Sequence, residues 1–218
     1  MEVGIEHGFI ILFGLTMLYL ASTSRIISHI RVLVVQGILL FLVCFLGHRE
    51  APFLSLTFLT VETLVVKAIV IPWFLYRILK KTRENRDDEA NIPHFYCLVV
   101  SSVILLGCFL ASNYYISSLK NISHIYFGIA AATVIISLWL ITIKHKIVSN
   151  VIEFITMENG IFLMSLSVAK EMPVLVNLGV LLDVFIAVYI LGLFVKEIKK
   201  EFKDLEVSNL SRLKDYSE

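Results

Sequence analysis

The sequence predicts an all-α, polytopic transmembrane protein of seven helices, with its N-terminus outside and its C-terminus in the cytoplasm. Three observations carry this. Mean hydropathy is +0.85, with 58% hydrophobic and only 17% charged residues, too little charge to clothe a water-facing surface. A spanning helix needs about 20 residues. Apolar runs of that order fill nearly all 218 residues and leave no length for a soluble catalytic domain. Finally, Lys and Arg alternate between rich and poor from one connection to the next.

The first run, Ile5 to Ala21, follows Glu2 and Glu6 with no Lys or Arg before it. It therefore lacks the basic start of a cleaved signal peptide and is expected to stay. The second, Ile30 to Leu46, follows the connection Arg25 to His29, and the third, Phe53 to Ile78, follows the Gly47-His48-Arg49-Glu50 turn. The charged stretch Lys80 to Ile92 is the one real linker. The fourth run is Phe95 to Ala111, and Ser112 to Asn121 leads to the fifth, Ile122 to Ile143. Lys144-His145-Lys146 separates it from the sixth, Ile147 to Val168, and Lys170-Glu171-Met172 precedes the seventh, Pro173 to Val195. One membrane domain thus spans 1–218, with helices one to three in 1–79, the charged cytoplasmic loop and helix four in 80–121, and helices five to seven in 122–195. The remainder, 196–218, is an amphipathic cytoplasmic tail. Its Ile198, Phe202, Leu205, Leu210 and Leu213 recur at helical spacing, a stripe suited to a cytoplasmic subunit or the membrane surface, with a solvated tail as the equal alternative.

Cytoplasmic connections hold most Lys and Arg. With the N-terminus outside, the inner segments hold fifteen: Arg25 and Arg31, then Arg77, Lys80, Lys81, Arg83 and Arg86, then Lys144 and Lys146, then six in the tail. The outer ones hold Arg49, Lys120 and Lys170, and Lys67 lies inside helix three.

An ionisable group at the bilayer centre costs on the order of 3 kcal/mol, so each needs a reason to be there. There are five: Glu62 and Lys67 on helix three, Glu153 and Glu158 on helix six, and Asp183 on helix seven. Counted at about 1.5 Å per residue, Glu62, Glu158 and Asp183 fall near mid-depth. By the same rise Lys67 and Glu153 share a second level roughly 10 Å from the cytoplasmic side, with Gln36 at about that depth, which makes them an expected ion pair. Glu62 and Lys67 are about 140° apart around an α-helix and are expected to face different neighbours. Pro72 lacks an N–H and displaces the carbonyl of Ala68, leaving a candidate kink or gate one residue beyond Lys67. Burial of this kind brings carboxylates and lysines into the range where they exchange protons, so the row reads as a relay. Static pairing that holds helices together is the alternative, and Gln36, Asn159 and Asn177 are expected to be interhelical glue and polar support.

Several classes are disfavoured. Cys44, Cys97 and Cys108 have no zinc or redox spacing and read as small buried hydrophobes. All six histidines fall at helix ends or in connections, so no intramembrane haem or metal site can be drawn, and no cofactor is expected. No GxSxG, HExxH, P-loop or dinucleotide turn is present, which speaks against a catalytic site. A net charge of +1 offers nothing to nucleic acid. A retinal protein needs a lysine on helix seven, which offers Asp183 instead, and outer loops this short provide no ligand domain for a receptor.

The run Met157-Glu158-Asn159-Gly160-Ile161-Phe162-Leu163 resembles the ENGIF segment of the hydrogenase-4 component E membrane subunits. Leu178 to Val184, Leu191-Gly192-Leu193-Phe194 and the tail Phe202 to Leu213 are similar to that family's C-terminal region. The resemblance implies a subunit of a group 4 [NiFe] hydrogenase or formate hydrogenlyase complex, related to respiratory complex I and to Mrp-type cation antiporters. It also implies that helices five to seven resemble the three-helix NuoK-like subunit, whose membrane glutamate corresponds to Glu158 or Glu153. That subunit's third-helix glutamate is replaced here by Asp183, which keeps the carboxylate and shortens its reach. Helices one to three repeat the orientation of five to seven, with Gln36 and Glu158, and Glu62 and Asp183, in similar places.

The function expected is a non-redox membrane-arm subunit of the cytoplasmic (inner) membrane, among antiporter-like and hydrogenase-anchoring subunits and lipid. It passes protons or Na⁺ along Glu158, Glu62 and Asp183, with Lys67 and Glu153 as a charge-switching pair. A non-conducting scaffold and a stand-alone transporter are the alternatives.

Overall fold

In hydrocarbon every backbone N–H and C=O must be satisfied within its own segment, so long apolar runs wind into helices. The computed structural model of the chain describes residues 2–47, 62–82, 93–115, 123–144 and 146–168. These form α1 (Glu2–Ser22), α2 (Ile26–Gly47), a π-helical segment (Glu62–Val70) that continues as α3 (Ile71–Thr82), α4 (His94–Tyr115), α5 (His124–Ile143) and α6 (Ile147–Val168). No strand occurs among the described residues. All of them belong to the first of two compact units, Met1–Val180. Helix seven with Asp183 and Asn177, the tail, most of the charged linker and the start of helix three lie outside them, as does the side chain of Glu62.

Among the described residues four helices, α1, α2, α4 and α5, are long and apolar enough to cross a bilayer. The chain is a membrane protein. α4 shows this most plainly, since its surface carries exposed Val99, Val103, Leu106 and Leu110 between aromatic pairs at either end, Phe95 with Tyr96 and Tyr114 with Tyr115. Those pairs are 19 positions apart, about 28 Å along the helix. That matches a hydrocarbon core of about 30 Å with aromatic belts at both interfaces. α6 has the same 22 residues, but Glu153, Glu158, Asn159 and several Ser and Thr keep it outside the apolar set. None of its described side chains is exposed, because it is packed among the other helices.

Helix directions follow from contacts at two heights. Gln36 on α2 meets Thr16 on α1, and His29 meets Thr23, so α1 and α2 are antiparallel. The same two α2 residues meet Asn159 and Glu153 on α6, so α2 and α6 run parallel. α1 and α5 are also parallel, from Glu6 beside Tyr126 to Ala21 beside Ile143. One end of the bundle therefore gathers the end of α1, the starts of α2, α4 and α6, and Lys144 after α5. The apolar core lies in two parts. At the Glu6 end Phe13, Leu40, Val43, Ile129 and Phe162 pack together, and at the Lys144 end Met17, Leu20, Ile136 and Leu140 do so with Cys97.

Glycines let backbones approach where polar groups must meet. A Cβ on Gly37 would stand 2.8 Å from the Ala68 nitrogen, so α2 touches the π segment backbone to backbone. A Cβ on Gly160 would stand 2.9 Å from Thr133 Cγ2, which seats α5 on α6. Helix edges differ from the sequence reading by up to four residues: the fourth helix runs past Ala111 to Tyr115, the first starts at Glu2 and the fifth at His124, and two further differences bear on the site. Helix two begins at Ile26 and takes in His29, placed by the sequence in a connection, and the third helix runs past Ile78 to Thr82. The Pro72 region is a change of winding: the π segment ends at Val70 and Pro72, which has no N–H to donate, is the second residue of the α winding that continues it.

Candidate functional site

Buried polar side chains gather at two heights along α6. At the middle level, Asn159 Nδ2 donates to Gln36 Oε1 at 3.2 Å, and Gln36 Nε2 donates to Thr16 Oγ1 at 3.0 Å and approaches Met17 Sδ at 3.3 Å. Thr16 in turn donates to the Phe13 carbonyl at 2.6 Å. This is a single chain of donors and acceptors from α6 through α2 to α1. It lies at the seam between the two apolar clusters and pairs the Gln36 amide and the Asn159 Nδ2 in the interior, while the buried Asn159 Oδ1 has no hydrogen-bond partner among the described residues. Glu158, 3% exposed, sits one position earlier on α6.

Lys67 belongs to this level. Its Nζ stands 4.5 Å from the centroid of the Phe162 ring, a cation–π contact, and Phe162 lies one turn beyond Glu158 on the same face of α6. The expected Lys67–Glu153 pair is not formed: Phe162 is nine positions beyond Glu153, about 13 Å along the helix. The reason is a matter of length. The third helix extends to Thr82, so Lys67 lies 15 residues, about 22 Å, from that end. Its winding alters a second expectation. In an i→i+5 helix positions 62 and 67 fall one turn apart on the same side, where α winding would separate them by about 140°.

Near the Lys144 end, six positions and about 9 Å below Asn159, Glu153 is fully buried and bound by partners the sequence did not assign to it. Lys144 Nζ donates to Glu153 Oε1 at 2.5 Å and stands 3.0 Å from His29 Nδ1, which is itself 3.4 Å from Glu153 Oε1. His29 Nε2 lies 2.9 Å from the Thr23 carbonyl. A carbonyl only accepts, so Nε2 carries the proton and the Nδ1 of the neutral ring accepts from Lys144. Helix side chains lean toward their own N-terminus. That carries Glu153 down to Lys144, and a lysine just after α5 reaches it without leaving the interface. Lys144 and His29 were read as loop and helix-end residues. The available signal was a basic residue in the short connection before a helix whose second turn carries a buried glutamate.

Of the predicted relay residues, the structure thus gathers Lys67 and Glu158 with Gln36 and Asn159 at one height and places Glu153 at another. Glu62's side chain and Asp183 lie outside the described residues.

Distant relatives agree with a membrane protein of this kind. The chain is 24% identical over 156 residues to an uncharacterized protein of Mycobacterium tuberculosis, covering 71% of each. It is 22% identical over 151 residues to hydrogenase-4 component E of Escherichia coli and of Shigella flexneri, covering 69% of each. No family model matches the chain, and no solved structure matches it.

Proposed function

We propose that this chain is a non-redox subunit in the membrane arm of an energy-converting hydrogenase or complex I-like assembly of the cytoplasmic membrane. Its neighbours are the antiporter-like and hydrogenase-anchoring membrane subunits, and it needs no cofactor or catalytic site of its own. Its task is to pass protons or Na⁺ through the bilayer, with Glu158, Glu62 and Asp183 as relay carboxylates and Lys67 and Glu153 as charges that bias them. The N-terminus faces outward and the Lys144 end faces the cytoplasm. The observation that carries this is the polar stack on α6: a helix buried among the others, bearing Glu153 and, five positions and about one and a half turns on, Glu158, with Glu153 held by Lys144 and Glu158 adjacent in sequence to the Asn159–Gln36 contact. The distant similarity to hydrogenase-4 component E supplies the setting.

Glu158→Gln and Glu62→Gln keep size and hydrogen bonding but cannot carry a proton. In membrane vesicles holding the native assembly, each is expected to abolish ion pumping while the complex still assembles. Unchanged pumping in both refutes the relay. A static scaffold is the second reading, favoured by the Asn159–Gln36–Thr16 chain, which joins three helices without any ionisable group. In that case Glu158→Gln lowers the amount of assembled complex and leaves pumping per complex unchanged.

A further inference from the structure

A cleft at the Lys144 end separates the last turn of α1, the first turn of α4 and the end of α5. It is lined by Ala21, Thr23, His94, Cys97, Leu140 and Lys144, and its interior has about 10 Å³ of space, room for about one water molecule. His94 is exposed, so the cleft reaches the protein surface, and it does so where three helices end. At its inner side is Lys144, whose side chain is 8% exposed and whose ammonium is shared between Glu153 and His29. An ammonium has three donors. Two are accounted for by Glu153 Oε1 and His29 Nδ1, and Lys144 itself forms part of the cleft wall.

The buried end of this arrangement is incomplete in a particular way. Glu153 Oε1 is engaged, but Glu153 Oε2 has no hydrogen-bond partner among the described residues although the side chain is fully buried. Ser149 Oγ, one turn earlier on the same face of α6, is buried and equally without a partner among them. A static ion pair in a dry interior is stabilised only when the remaining lone pairs are satisfied. An acceptor kept open beside a lysine that borders a water-sized space is suited to receiving a proton.

We infer that Lys144, His29 and Glu153 form a proton-loading site, fed from the aqueous side through the cleft between α1, α4 and α5. This deepens the conduction reading proposed above and rests on it. The Lys144 ammonium passes the proton of its hydrogen bond to Glu153 Oε1, turning the ion pair into a neutral amine and a neutral acid whose remaining acceptor is the open Oε2. The amine then takes a proton from hydronium in the cleft, leaving water, so the cluster gains one positive charge. His29 holds the lysine in place through Nδ1 and is anchored by Thr23. The titratable groups bordering the site are His29 on α2, His94 and Cys97 on α4, Lys144 after α5, and Glu153 on α6, with Arg25 and Lys146 in the adjoining connections.

Cys97 supplies the test, since it lines the cleft and the other two cysteines do not. In a Cys44→Ser, Cys108→Ser variant Cd²⁺, which is close to a water molecule in size and does not enter hydrocarbon, should bind the Cys97 sulfur together with His94, one turn earlier on the same wall. Because the ion acts on the folded protein, it plugs the cleft with no risk to folding. Cd²⁺ labelling of membrane vesicles carrying the native assembly is expected to slow proton uptake at least ten-fold, and dithiothreitol, which strips the ion, should restore it. A Cys97 that binds no Cd²⁺ overturns the inference, and so does full labelling with uptake unchanged. Failure of the conduction reading is separate: there Glu158→Gln also leaves uptake unchanged, whereas failure of the cleft alone leaves Glu158→Gln inactive and the labelled protein fully active.

Discussion

The two polar levels of this bundle sit about 9 Å apart and solve the same problem by different means. The middle one is joined by neutral groups, Asn159, Gln36 and Thr16, whose hydrogen bonds run in one direction to a backbone carbonyl, with Asn159 Oδ1 left open among the described residues and with Lys67 and Glu158 at the same height. The one near Lys144 is charged, with a carboxylate oxygen held by a lysine and its twin open. Amides can be satisfied permanently and cheaply in a dry interior, whereas a buried ion pair carries a desolvation penalty that its mutual attraction offsets only with good geometry. The amide chain of the middle level fixes where the helices sit, beside Glu158 and Lys67. The level near Lys144 is held by an ion pair instead.

The sharpest way to break this comparison is to remove one charge. Lys144→Ala leaves Glu153 buried beside a neutral His29, and losing one partner of a buried pair costs about 3–5 kcal/mol. Thermal unfolding in mild detergent should show Lys144→Ala far below the unmodified protein, with the double variant Lys144→Met, Glu153→Leu recovering most of the loss. If the single and double variants unfold alike, the pair is not a buried ionic contact and the contrast between levels disappears.

A smaller effect is expected where the helices are held close enough for the levels to form. A Cβ on Gly37 meets the Ala68 backbone at 2.8 Å, and one on Gly160 meets the Thr133 Cγ2 methyl at 2.9 Å. Either Gly→Ala change is expected to cost about 1–3 kcal/mol by overpacking. The two should differ in rescue: Thr133→Ser removes the methyl and should restore part of the stability of Gly160→Ala, while no side-chain change relieves contact with a backbone. Equal rescue of both would mean that the α2 contact is not backbone to backbone.

What the sequence made legible is what hydropathy and spacing encode. Apolar run length marked the helices, and a helix with Glu153, Glu158 and Asn159 inside a membrane protein had to be shielded by others, as α6 is. Gln36 and Asn159 as interhelical glue follows from the same logic, and the structure joins them directly. The errors share one cause, the use of a predicted helix edge and an assumed α winding as a ruler. Lys67 was counted from Ile78, but the helix continues to Thr82, and the π segment re-registers positions 62 and 67. His29 and Lys144 were missed because a residue at a helix boundary has no periodicity to reveal it. Whether it snorkels outward or reaches inward depends on a neighbour that lies 9 residues away for Lys144 and on a different helix for His29.

The smallest expected effect sharpens the comparison most. Asn159→Leu leaves Gln36 Oε1 without its donor, and Gln36→Leu leaves both Asn159 Nδ2 and Thr16 Oγ1 without their partner, so each single change is destabilising. The double change removes the unpaired groups along with the bond between them. A double-mutant cycle measured by unfolding in detergent should give a coupling of about 0.6 kcal/mol and no more than about 1.7, the range for hydrogen bonds between membrane helices. That lies well under the Lys144–Glu153 coupling expected from the charged level. Were the amide coupling the larger, the Asn159–Gln36 contact would not be an ordinary neutral hydrogen bond, and the contrast between the amide chain and the Lys144–Glu153 pair would fail.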